Sequence, residues 1–121
     1  MNPFKDQEKF MRACGQTVDG NFDEDQLNLY ISLIEEEVNE LVDAVQAHDK
    51  VETLDALIDI LVVTIGAIHS MGADGEGAWN EVMRTNFAKI DPDTGRVRKR
   101  EDGKVLKPEG WLPPELGKFV R

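Results

Sequence analysis

Glu36, Glu37 and Glu40 stand inside an apolar helical pattern, LIEEEVNEL, and Asp55 and Asp59 stand inside the next one, DALIDILVV. From Ala56 to Ile68 the only charged side chain is Asp59. An unpaired carboxylate is costly to bury, so acids at such positions are normally paired or bound to a cation. Several carboxylates converging between two helices make a hard, oxygen-rich site, suited to Mg2+ or Mn2+ and, through the metal, to a polyphosphate. By themselves the acids would repel one another and take up protons. Around divalent ions they become a clamp that polarises a phosphoryl oxygen and activates a water.

The elements that must position these acids are helical. A first amphipathic helix is expected over about Pro3–Gly15, with Phe4, Phe10, Met11 and Cys14 as its apolar positions. Thr17–Asn21 reads as a loop, and Asp23 is placed to cap a second helix running to about His48. The apolar stripe of that helix is Leu27, Tyr30, Ile34, Leu41 and Val45. At roughly 100° per residue Glu37 falls in the middle of the stripe, Glu40 at its edge and Glu36 further round. A third helix is expected from about Val51 to Met71, with Leu54, Leu57, Ile58, Leu61, Ile65 and Ile68 on one face. Asp55 and Asp59, four apart, stack on a neighbouring face. Val62, Val63 and Gly66 extend the apolar surface round that side, so this helix is expected to be buried on more than one side, in the core or between subunits. Gly72 supplies a stop. A fourth helix over about Gly75–Lys89 carries Trp79, Val82, Met83 and Phe87. Beyond Asp91 the pattern changes to a turn (DPDTG), a short hairpin through Arg96–Lys107 and a Pro-rich closing stretch anchored by Trp111 and Leu112.

The 121 residues suit one domain, with a helical core over about 1–90 and a basic segment over about 91–121. Ala56–Ile68, the longest apolar stretch, is too short to span a bilayer, and Met1–Gln16 is charged and amphipathic rather than signal-like. A soluble, cytoplasmic protein with no membrane partner is therefore expected. Cys14 is the only cysteine, which rules out an internal disulfide and reads as a bystander or buried thiol. The net charge of −10 is uneven: residues 1–83 carry 18 acids against 4 Lys/Arg, and residues 84–121 carry 6 against 10. An acidic body argues against binding duplex nucleic acid. A basic C-terminal segment beside an acidic metal site suits a nucleotide, the cations meeting its phosphates from both sides. A tail that neutralises the body or packs on a partner subunit explains the same charges.

The chain resembles the all-α NTP pyrophosphatase superfamily, which contains MazG, phosphoribosyl-ATP pyrophosphohydrolase and the dimeric dUTPases. The resemblance rests on EExxE (Glu36, Glu37, Glu40), on an acid-plus-Asp helix (DALIDILVVTIGA), on Phe10–Val18, on an N..K pair (Asn86, Lys89) and on the closing segment Glu101–Pro114. It covers nearly the whole chain. EExxE alone is weak; the ordered set is specific.

The resemblance implies a MazG-like four-to-five-helix bundle with a short C-terminal hairpin and extended tail, assembled as a homodimer or homotetramer. It implies Mg2+-dependent cleavage of a nucleoside triphosphate to monophosphate and pyrophosphate, in a nucleotide-pool house-cleaning role. Carried over by position, Glu37, Glu40 and Asp59 match metal ligands, Glu36 matches an acid that orients or deprotonates water, and Asn86 and Lys89 match a phosphate-contacting pair. Two departures stand out. Relatives show ExxD in the second acidic helix, but position 56 is Ala, so Asp55 is the favoured fourth ligand and Glu52 the alternative. Val63 stands where many relatives have Tyr. The rivals are phosphoribosyl-ATP hydrolysis in histidine synthesis and a non-enzymatic helical interaction protein whose acids form a solvated face. His48 and His69 lie outside any Glu-x-x-His motif, which disfavours a di-iron bundle, and no Gly-rich P-loop is present.

Overall fold

A computed structural model describes residues 2–120. The order is α1 (Pro3–Ala13), α2 (Glu24–Gln46), α3 (Lys50–Ser70), α4 (Gly75–Phe87) and a 3-10 turn at Gly117–Phe119. The fold is all-α, as the periodicity predicts. The described residues divide into two compact units, one reaching Gly75 and the other Glu76–Phe119.

Each helix of the first unit begins and ends on side chains and turns that satisfy its free backbone groups. Asn2 caps α1, accepting from Lys5 N at 2.8 Å, with Pro3 in the first turn. Asp23 caps α2, accepting from Gln26 N at 3.0 Å, and Asp49 caps α3, accepting from Glu52 N at 3.0 Å. Asp23 also accepts from the Thr17 hydroxyl at 2.8 Å. The Gln26 N–H first, then Thr17, hold its carboxyl below the usual range. The α2–α3 link is only a few residues long because His48 takes a left-handed φ of 55°. His48 N then donates to Val45 O and Asp49 N to Ala44 O, both at 3.1 Å, closing the helix end. Gly72 closes α3 the same way at φ 73°, and a Cβ there would press on the Gly20 carbonyl.

α2 and α3 pack along each other and α1 packs on α3. The α2–α3 pair is antiparallel: the start of α2 meets the end of α3, with Asp23 N donating to Ser70 O at 2.8 Å and Gln26 Nε2 to Ser70 Oγ at 2.9 Å. Gln26 also exchanges two bonds with the Thr17 backbone, accepting from its N–H and donating to its carbonyl, both at 2.8 Å. The core gathers Met11, Tyr30 and Ala67, with Val18, Leu27, Leu33, Ile34 and Val63 packed against them. Tyr30 fits because position 66 is glycine: a Cβ on Gly66 would overlap the Tyr30 ring. The Tyr30 hydroxyl is satisfied by donating to Gln16 Oε1 at 2.6 Å. At the other side of α3, His69 Nε2 lies 2.8 Å from Phe4 O, and the two rings meet edge-on with centroids 6.3 Å apart.

Several expectations are corrected. The inward face of α3 keeps only the C-terminal end of the large-residue stripe, with Ile65 buried and Ile68 half-buried. Leu54, Leu57, Ile58 and Leu61 are exposed on the single chain, and Ala56, Ile65, Gly66, Ala67 and Ser70 are the buried positions. Apart from Ile65 these are small residues, and at Gly66 the missing side chain lets Tyr30 of α2 approach closely. On α2, Val45 is exposed, as are Phe10 on α1 and Cys14 at its C-cap. Among the described residues no helix is long and apolar enough to cross a membrane.

The second unit is built on α4. Trp111 Nε1 donates to Thr85 O at 2.7 Å, which fastens the closing stretch, but Leu112 is 75% exposed and anchors nothing. Between them the expected hairpin is reduced to one antiparallel bridge, Lys99 with Val105, beside Arg100 N to Lys104 O at 2.8 Å and Leu106 N to Arg98 O at 2.7 Å. A two-stranded ribbon this short gains too little cross-strand packing to extend further.

Candidate active site

The helix pair brings four of the predicted acids together: Glu37 and Glu40 from α2, Asp55 and Asp59 from α3. Glu37 is the central one. It is half-buried, and its Oε2 is fully buried with no hydrogen-bond partner. Such an atom loses its hydration with nothing in return, and is the kind of site a cation or proton fills. The Glu37 carboxyl is raised above its ordinary pKa, first by burial, then by Glu40, which lies within hydrogen-bonding reach, and then by Asp59 and Asp55. Asp59 is raised too, again by burial first, then by Asp55 and Glu40. No Lys or Arg contributes to either shift.

Sequence spacing left Asp55 and Glu52 open as the fourth acid. Asp55 is the one whose charge reaches both Glu37 and Asp59. Glu52 sits in the first turn of α3, where its N–H is capped by Asp49. Glu36 is exposed on the solvent side of α2 and contributes to the shift of neither Glu37 nor Asp59.

The donor set is all carboxylate, which fits Mg2+ or Mn2+ in kind. As placed, no group of three or more His, Cys, Asp or Glu side chains among the described residues is arranged to hold a metal ion. A shared cation would require these side chains to change rotamer.

In the second unit Asn86 and Lys89 are brought together, with Lys89 Nζ donating to Asn86 Oδ1 at 3.1 Å. Lys89 also lies over the Trp111 ring at 5.0 Å, as does Lys107. Sequence reasoning missed Glu81. Its carboxylate is buried, accepts from Arg84 Nε at 2.9 Å and Nη2 at 3.0 Å, and accepts from Glu115 N at 2.8 Å. Those bonds, Arg84 foremost, pull its pKa down to about 2. The Glu81/Arg84 spacing of three was the available signal for the ion pair; the Glu115 bond had none.

The family model described as phosphoribosyl-ATP pyrophosphohydrolase matches residues 6–86, about two thirds of the chain. The chain belongs to the phosphoribosyl-ATP pyrophosphohydrolase family. It is thereby a pyrophosphohydrolase of the MazG-like superfamily, a hydrolase acting on pyrophosphate bonds. The matched span holds all four clustered acids and ends at Asn86, so Lys89 and the basic segment lie beyond what this family's pattern covers. No curated protein matches the chain.

Proposed function

We propose that the protein hydrolyses a nucleoside or deoxynucleoside triphosphate to the monophosphate and pyrophosphate with Mg2+ as cofactor, Mn2+ being able to replace it. The observation that carries this reading is the buried, unpartnered Oε2 of Glu37 among three further carboxylates. Glu37, Glu40, Asp55 and Asp59 would hold the cation. It supplies positive charge against the triphosphate and makes water a better nucleophile near neutral pH.

The chain's own groups divide the remaining work. Glu36, solvent-facing beside the cluster, takes the proton of the attacking water. The water oxygen bonds to phosphorus as the anhydride P–O bond breaks, and pyrophosphate leaves with the electron pair. Asn86 and Lys89 give the phosphates an amide and an ammonium, already paired at 3.1 Å; an ammonium is worth most where charge grows in the transition state. The exposed stripe of Leu54, Leu57, Ile58 and Leu61 supports a homodimer or homotetramer, because a monomer rarely leaves such a contiguous face to water. A soluble, cytoplasmic setting is part of the same reading.

A second reading is favoured by the matching family's own description: the substrate is phosphoribosyl-ATP, cleaved at the same site. One experiment tests both. Purified protein is screened with Mg2+ against the common NTPs and dNTPs and against phosphoribosyl-ATP, with pyrophosphate as readout and a Glu37→Gln variant alongside. Release from an NTP or dNTP that the variant abolishes supports the first reading. Release from phosphoribosyl-ATP alone replaces it with the second, and no release from any substrate defeats both.

A further inference from the structure

A cavity of about 230 Å³ lies wholly within the C-terminal unit, lined by Lys89, Ile90, Asp91, Pro92, Arg98 and Leu106 among others. Its size is below the roughly 300–1,000 Å³ of pockets that enclose a whole drug-sized ligand, so it suits a fragment. Its walls are mostly apolar, and two cations are set into them. Arg98 takes part in no ion pair or side-chain hydrogen bond among the described residues. Its backbone is fixed by the bond from Leu106 N to Arg98 O, which places the residue at the pocket, while its five side-chain N–H donors remain unused. Lys89 spends one bond, on Asn86, and keeps two donors. The one acid in the lining, Asp91, has its Oδ1 engaged by the turn, accepting from Asp93 N at 2.8 Å.

From this cavity we infer a phosphoryl-binding pocket in which Arg98 supplies the bidentate fork and Lys89 the point charge. A phosphoryl group answers both cations at once, and the planar guanidinium matches two of its oxygens. The choice of pyrophosphate as the natural occupant rests on the function proposed above.

The test uses the full-length protein carrying Trp79→Phe, so that Trp111, against which Lys89 packs, is the single fluorescent reporter. Sodium pyrophosphate is titrated in EDTA at constant ionic strength, with NaCl as control and inorganic phosphate as competitor. The expected result is a saturable change that phosphate reverses, weakened at least tenfold by Arg98→Ala and less by Arg98→Lys, which keeps the charge without the fork. Arg98 is exposed, so these variants should fold, and circular dichroism checks it. A response no larger than NaCl gives, or equal affinity in Arg98→Ala, overturns the inference. Loss of pyrophosphate binding in Glu37→Gln also overturns it, because it places the anion elsewhere. Failure here leaves the proposed hydrolysis standing, since that is read from product release with Mg2+ and from Glu37→Gln.

Discussion

Two glutamates have buried carboxylate oxygens, and their surroundings are opposite. Glu81 has an Arg84 fork and a backbone N–H, and its pKa falls to about 2. Glu37 has an oxygen with no partner and three acids around it, and its pKa rises. The first is what a chain does with a charge that fastens structure: both oxygens are answered from within. The second makes poor sense as structure, because nothing in the helix pair answers it. An acid kept at a cost to the fold points to a ligand that the fold itself does not supply.

The sharpest way to break this contrast is to neutralise each acid in turn. Glu37→Gln and Asp59→Asn should abolish hydrolysis while leaving the helices intact, and should raise the melting temperature of the metal-free protein, because like-charge repulsion is relieved. Activity within about tenfold of wild type, roughly 1.4 kcal/mol of barrier, would remove either residue from the ligand set. Next in size, Lys89→Ala should lower kcat by on the order of 10²-fold and raise KM by less, since the charge it meets grows in the transition state. Steady-state kinetics showing a pure KM effect would make it a ground-state contact.

Glu81→Gln should do the reverse of Glu37→Gln: lower the melting temperature and leave kcat nearly unchanged. Glu81 has a folded pKa of about 2 against an ordinary 4.5. Between those values the unfolded chain binds the extra proton, so the stabilisation is complete above pH 4.5 and fades as the pH falls toward 2. Melting curves of wild type and variant should therefore converge on acidification through that window; a gap independent of pH would assign the effect to packing. The smallest change is Gly66→Ala, about two turns along α3 from Asp59. Forcing a methyl against Tyr30 should cost about 1–3 kcal/mol, with a few-fold loss of activity as the acids shift. Full activity would show that the cluster tolerates displacement of its helices.

The caps were legible in the sequence because they are local: Asp23 and Gly72 act within a few residues of themselves. So was the cluster, since an acid inside an apolar stripe is a contradiction visible in one dimension. The inward face of α3 was not. On a helix apolar nearly all round, periodicity does not say which side faces the neighbour, and the answer lay in Gly66 meeting a tyrosine 36 positions earlier. Leu112 misled for a related reason: apolar character beside Trp111 predicts burial, but the indole N–H had a carbonyl to reach and the leucine had no cavity to fill. The Glu81–Glu115 bond spans 34 positions, and nothing in the composition around either residue announces it.

Gln26 carries a consequence for how this molecule opens. Its amide group imitates a peptide unit, accepting the Thr17 N–H and donating to the Thr17 carbonyl as a neighbouring strand would. The Thr17 amide proton, though it lies in a loop, should therefore exchange with deuterium on the timescale of the helix pair rather than of the surface. It is a clock for the first unit. Because Gln26 also holds Ser70, parting of the start of α2 from the end of α3 would free that proton, and exchange slower than that of the neighbouring loop amides would report the pair as closed.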